Sequence, residues 1–274
     1  MKIKKWITTT VIIAIGVVLA WILLSLPSHK ASSKSSVETL RIGLANLNFE
    51  NKKAGALSKI LKEIDPDVII GLEWTGSNLE LDVLKAHEFK VALTEPKIGT
   101  HGICILVKDH LKTHSSLVQS PVRGPCRLPI GLVRFYRNKK PIAVFGVHAP
   151  PPIRACRDTT EPTLKAVSSW VTDGILRQDI GIAQKGDLAI IVGDMNTLSV
   201  QPSIKYFEKS GLRDSFSTIN WRPGPTWSPF SWLPRLFRLD YIFVSSKIKI
   251  SDSEIFNLPG SDHRGIFADI EIIG

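Results

Sequence analysis

Apolar residues recur along this chain with two different spacings. Val68-Ile-Ile-Gly-Leu72 and Leu188-Ala-Ile-Ile-Val-Gly193 are short, continuous and rich in β-branched side chains. Runs of that kind predict strands covered on both faces. Ala54, Leu57, Ile60, Leu61 and Ile64 instead follow helical spacing, and the pattern stops at Asp65-Pro66, where a proline disfavours helix in the residue before it. With a strand over Thr39 to Leu44, these segments form a strand–helix–strand unit of an α/β fold. Ser77 to Ala86 reads as a short helix. Strand-like runs follow at 103–107, 113–118, 128–136 and 142–147, and the turn-forming Lys108-Asp109 and Arg137 to Pro141 suggest antiparallel hairpins. Thr160 to Leu176 is amphipathic, with Glu161 and Pro162 in its first turn, and predicts a helix. A shorter helix is expected over Ser199 to Ser210, closed by Gly211. Strands are expected at 239–244, 247–256 and 265–272.

The N-terminus has a different pattern. From Trp6 to Leu26 the chain carries 21 residues without a charge, flanked by Lys2, Lys4 and Lys5 before and Lys30 and Lys34 after. At about 1.5 Å per residue this makes about 32 Å of helix, enough to cross a bilayer's hydrocarbon core. A cleaved signal peptide would have a shorter apolar region and small residues at the cleavage site, whereas His29-Lys30-Ala31 is a poor one. The expectation is a retained anchor over residues 1–36, including a polar tether from Ser28. One globular domain over 37–274 would follow, outside the cytoplasm and monomeric.

The net charge of +10 divides unevenly, because the first 36 residues hold five lysines and no acid. The domain keeps 30 basic against 25 acidic residues, or +5. That is mildly basic, well short of the concentrated charge of a dedicated nucleic-acid binder. Cys104, Cys126 and Cys156 have no metal-type spacing. Outside the cytoplasm Cys126 and Cys156 could pair, since both lie in Pro- and Arg-rich loops while Cys104 lies in an apolar strand; three free thiols are the alternative.

The candidate chemistry lies where the strands end. Asp194 and Asn196 follow the Leu188 strand, and strand ends of helix-covered sheets are where ligands bind. If the strand geometry persists, both side chains leave on one face; an Asx turn is the bland reading of the same residues. Other strand ends carry Asn46, Asn48, Glu73, His148, Asp240, Asp262 and His263. Oxygen ligands with few nitrogens suit a hard cation such as Mg²⁺, Mn²⁺ or Ca²⁺. The histidines and asparagines would donate to a phosphoryl transition state, and an aspartate would orient or deprotonate water.

Asn46, Glu73, His148, Gly193-Asp194-Met195-Asn196-Thr197, Leu239-Asp240-Tyr241-Ile242-Phe243 and Ser261-Asp262-His263 resemble, in order and spacing, the motifs of the endonuclease/exonuclease/phosphatase superfamily. The resemblance covers about Leu40 to Ile272. It implies a four-layer α/β sandwich with two mixed, mainly antiparallel sheets flanked by helices. It also implies Glu73 as principal metal carboxylate, with Asn46 beside it and Asp262 on the metal side. His148 would act as general acid or electrostatic stabiliser, Asp194 on the water, Asn196 on the phosphate or on that aspartate, and Asp240 would orient His263. Asn48 stands where abasic-site nucleases have an acid, which implies one metal at a time. Asn48, Arg127, Arg157 and Trp232, the last in the Trp/Pro-rich stretch 221–235, are candidate substrate contacts. The implied activity is metal-dependent hydrolysis of an anionic phosphodiester, with nucleic acid the first expectation and a phospholipid headgroup the second. A non-catalytic binding module on the same fold is a third.

Overall fold

The computed structural model describes residues 11–12, 15–23, 26, 39–51, 55–76, 81–120, 122, 126, 128–173, 183–230 and 233–272. Among the described residues, twelve strands form two six-stranded sheets. The first has the order β11-β12-β1-β2-β4-β3, where β1 is Leu40–Asn46, β2 Val68–Leu72, β3 Phe89–Glu95, β4 Ile103–Lys108, β11 Lys249–Asn257 and β12 Arg264–Glu271. The second has the order β5-β6-β7-β8-β10-β9, where β5 is Thr113–Val118, β6 Ile130–Arg137, β7 Lys140–His148, β8 Leu188–Asp194, β9 Leu212–Asp214 and β10 Asp240–Ser245. Each sheet has one parallel pair at its centre, β1 with β2 and β7 with β8; the other pairings are antiparallel.

Three hydrophobic cores separate four layers. Ile42, Leu44, Ile70, Val144, Ile190, Val192 and Ile266 meet between the sheets. Leu57, Ile60, Leu61 and Ile64 of helix α1 (Ala56–Ile64) and Leu84 of α2 (Leu81–Ala86) cover the first sheet. Leu164 and Val167 of α3 (Thr160–Asp173) and Phe207 of α4 (Lys205–Lys209) cover the second. The continuous apolar run of β8 follows directly: Ile190 and Val192 point into the central core, Ala189 and Ile191 into the helix-covered one. A polar residue on either face would be buried without a partner. The sandwich expected from the resemblance is present.

Several expectations need correction. The strand β3 was not foreseen, because it is an edge strand whose register shifts between Val91 and Leu93, breaking the two-residue alternation. Lys108-Asp109 does not close a hairpin: β4 pairs within the first sheet and β5 within the second, so this turn carries the chain across the sandwich. The Arg137 to Lys140 turn does close one, with Asn138 and Lys139 both left-handed as a tight hairpin requires. The helix expected over 199–210 shrinks to α4, since Pro202 cannot continue a helical ladder and residues before it form turns. Leu212–Asp214 and the one-turn helix α5 (Ser215–Ile219) were too short to show a period. The span expected at Trp6 to Leu26 lies partly outside the described residues. Positions 11–12 and 15–23 are helical and mostly exposed, and among the described residues no helix is long and apolar enough to cross a membrane.

Cys126 and Cys156 form a disulfide, with Cα atoms 5.5 Å apart. It ties the segment after β7 to the loop before β6. Cys104 is free and buried, and burial pushes its thiol up to about 12. Thiolate is the reactive species, so this cysteine is protected twice. We expect a thiol reagent to label no cysteine in the native chain, one after unfolding, and three after unfolding with reductant. Native labelling of two thiols would contradict the bridge.

Candidate active site

Both parallel pairs deliver their carboxyl ends to the same edge of the sandwich. Asn46 ends β1 opposite Leu72, the residue before Glu73; His148 ends β7 opposite Asp194. The antiparallel β10 begins at Asp240, also opposite Asp194, and His263 immediately precedes β12. Close strand approach is required here, because a Cβ at Gly193 would overlap the Val147 carbonyl. Asn46, His148, Asp194, Asp240 and His263 are buried, whereas Glu73, Asp262, Asn48 and Asn196 are half-buried.

Asp194 is the hub. Its Oδ1 accepts from the Asn196 backbone N–H at 2.8 Å, and Asn46 Nδ2 donates to its Oδ2 at 3.4 Å. Nε2 of His148 and Nε2 of His263 each lie 3.8 Å from that Oδ2. Burial, then the neighbouring Asp240, raises this carboxyl well above the usual range. The expectation of a persisting strand through Asn196 is corrected: Asn196 has φ 46°, so its side chain turns to donate to the Ala149 carbonyl at 2.8 Å. The Asx turn and the site are the same feature.

The two histidines differ in charge. His148 Nδ1 lies 3.1 Å from the Thr100 carbonyl, to which it must donate. Burial, reinforced by His263, lowers its pKa to about 3, so it is neutral with an unprotonated Nε2. His263 is opposed by burial too, but Nδ1 sits 2.8 Å from Asp240 Oδ2, and Asp240 raises its pKa to about 10. Its Nε2–H faces Asp194 as a charged donor.

Glu73 accepts from Asn46 Nδ2 at 3.3 Å and from the Phe49 backbone N–H at 3.2 Å. Burial raises its pKa, and Asp262 adds to the rise. Asp262 accepts from Asn48 Nδ2 at 2.9 Å on one oxygen and from Trp227 Nε1 at 3.2 Å on the other. Glu73, Asp194 and Asp262 thus line one cleft of about 460 Å³ with His148, Asn196 and His263. Carboxylates crowded and desolvated to this degree fit a hard divalent cation, with Glu73 and Asp262 as the oxygen donors; Asn46 turns Nδ2 to Glu73 and Asp194 and gives Oδ1 to the Asn48 N–H, so it would join them with its amide turned over. Asp194, Asp240 and His263 also bring one ligand atom each within 4.8 Å of one another. There His263 Nδ1 is committed to Asp240, which leaves Nε2 to face Asp194, as a proton donor here or as a ligand to a cation. Asn48, Glu73 and Asn196 are all non-glycine residues with positive φ (58°, 55° and 46°). Such strain gathers at functional sites.

The structure brings together all eight residues expected at the metal and catalytic positions. Asn48, expected against substrate, has its amide committed to Asp262. Arg127 and Trp232 lie outside the described residues, and Arg157 is exposed and does not line the cleft. The indole at the site is Trp227, tilted 6.3 Å from the His263 ring. Six other tryptophans and prolines surround it in the stretch 221–235, which hid it. The Thr100 carbonyl and Phe49 N–H were also missed, because backbone groups leave no mark in a sequence.

The Endonuclease/Exonuclease/phosphatase family model matches residues 43–263, and the chain belongs to that family. No curated protein matches it. Among solved structures it is similar to Danio rerio TDP2 complexed with a single-strand DNA product, at 15% identity and a TM-score of 0.67, covering 85% of this chain and 99% of that one. A 3′ phosphatase, NExo, from Neisseria bound to a product DNA hairpin shares 15% identity with a TM-score of 0.64, over 84% and 98%. A family protein from Bacteroides thetaiotaomicron shares 16% identity with a TM-score of 0.64, over 86% and 98%.

The His263 charge yields a pH prediction for the metal-free protein. Its folded pKa lies above the ordinary 6.5, so the stability it contributes is complete below 6.5 and is lost as pH rises through about 10. Asp240→Asn should move the His263 titration, followed by NMR, down towards 6.5 and flatten the alkaline loss of stability. An unchanged titration would remove Asp240 as the cause.

Proposed function

We propose that this chain hydrolyses a phosphoester, with Asp194 acting on the attacking water and a divalent cation, Mg²⁺ by the ligand chemistry, held by Glu73, Asp262 and Asn46. The observation that carries the reading is the pairing of a desolvated carboxyl, Asp194, with a charged imidazole, His263, across 3.8 Å. Asp194 orients the water and accepts its proton as attack on phosphorus proceeds. His263, fixed by Asp240, presents Nε2–H to a phosphoryl oxygen and stabilises the charge that develops there. The Asn196 carboxamide, held by the Ala149 carbonyl, lines the cleft, and its backbone N–H keeps the Asp194 turn in place. His148 is expected as general acid or electrostatic stabiliser; in this reading, with Nδ1 tied to the Thr100 carbonyl, its Nε2 accepts and it orients water or substrate instead. The cation, when bound, supplies Lewis-acid polarisation of the phosphoryl group.

The similar structures that hold DNA support nucleic acid as substrate. A lipid-borne phosphoester is favoured by the cleft walls: Pro151, Pro152, Ile153, Trp227, Phe237 and Leu239 line it, and no lysine or arginine does among the described residues. Binding a polyanion draws on several cations, whereas one phosphate flanked by apolar groups does not. The uncharged run from Trp6 to Leu26 supports a membrane anchor, with the domain outside the cytoplasm, where the disulfide would persist.

Asp194→Asn should lower kcat on a soluble phosphodiester such as bis(p-nitrophenyl) phosphate by about 10²–10⁴. It should leave the thermal midpoint unchanged or raised, because a buried carboxyl is neutralised. Chelation with EDTA should abolish turnover, and Mg²⁺ should restore it. Retained activity in either experiment would refute the mechanism.

A further inference from the structure

We propose that the end of the sandwich bearing the active site docks on an anionic lipid surface, so that the phosphoester is presented to it from a membrane. The proposal rests on the hydrolase reading for its substrate but not for the docking itself. Among the described residues of the folded domain, nine large apolar side chains are exposed, and six of them sit on loops at the end of the sandwich that bears the cleft: Phe49, Ile98, Ile153, Val200, Phe230 and Phe237, of which Ile153 and Phe237 line it. They sit on five different loops, after β1, between β3 and β4, after β7, after β8 and before β10. What these loops share is the end of the sandwich they cap. Ile98 is fully exposed and Val200 is 81% exposed. Exposed apolar groups gathered on one surface mark an interaction site rather than scatter.

The occupant is indicated by three further observations. The cleft at this end has apolar walls and, among its described lining residues, no lysine or arginine, which disfavours a polyanionic strand threaded through the cleft itself and suits a single phosphoester with an apolar flank. The N-terminal apolar segment is itself uncovered, with Ile12, Val17 and Leu23 each more than 60% exposed. Its end meets the domain where the Arg222 guanidinium donates to the Leu26 carbonyl at 3.4 Å, on the loop that also carries Phe230. One lipid surface would cover both apolar regions, and a domain charge of +5 draws it towards anionic headgroups.

The test uses the full chain in vesicles of phosphatidylcholine and phosphatidylglycerol. Cys104 is buried and the other two cysteines are bridged, so an introduced thiol takes a polarity-sensitive fluorophore alone. A label at Val200→Cys should shift to the blue on vesicles and be quenched by doxyl-lipids, whereas one at Tyr136→Cys, on the opposite end, should do neither. Equal responses at the two positions would overturn the proposal. So would a Val200→Cys response that needs DNA, or that depends only on protein concentration, as for a second copy. In parallel, Val200→Asp with Phe230→Asp should cut cleavage of a vesicle-borne phosphoester about ten-fold relative to its short-chain soluble analogue; equal rates would count against docking. The label reports depth without turnover. Docking without hydrolysis would therefore sink the hydrolase reading, and hydrolysis without docking would sink this one.

Discussion

Removing the Asp194 carboxyl from water is the constraint on which the site depends. The strand that carries it is paired on both edges and covered on both faces, so the carboxyl has almost no solvent to fall back on. Its backbone is pinned as well, through Ala149 N–H to the Asp194 carbonyl at 2.8 Å and Met195 N–H to the Leu239 carbonyl at 2.8 Å. Everything around it answers that cost. A turn amide takes one oxygen, an asparagine and two imidazoles surround the other, and Asp240 keeps one imidazole charged. The other imidazole stays neutral because a backbone carbonyl claims its proton.

This division of labour between two histidines arises from what lies behind each ring. A carboxylate behind His263 favours its charge; a carbonyl behind His148 fixes a tautomer without offsetting the burial. Two side chains of one type, at equal distance from the same oxygen, are thereby given opposite hydrogen-bonding roles. Thr226 supports the arrangement from below, its hydroxyl accepting from the Leu239 and Asp240 N–H groups at 3.1 and 3.3 Å.

Much of this was legible in the chain. The β8 run announced a doubly covered strand, and polar residues at strand ends gave Asn46, Glu73, His148, Asp194, Asp240 and His263. What periodicity could not carry was the bulged edge strand β3, the short pieces β9 and α5, and the route of the turn after Lys108. The choice among tryptophans failed for a related reason: Trp227 is selected by a backbone bridge to His263 and Phe237, a pairing between residues far apart in sequence. The direction of the Asn48 amide and the charge of each histidine depend on neighbours that only the folded chain supplies.

The left-handed backbone at Asn48, Glu73 and Asn196 sets the fold against its own chemistry. Each such residue costs about 1–2 kcal/mol relative to a relaxed conformation, and glycine would escape that cost. Glycine at 73 would thus relax the chain while deleting the carboxylate that faces the cleft. The three layers of core hold these positions in place against their local preference. In this architecture the most thermally robust relatives one could engineer would be found by walking away from function.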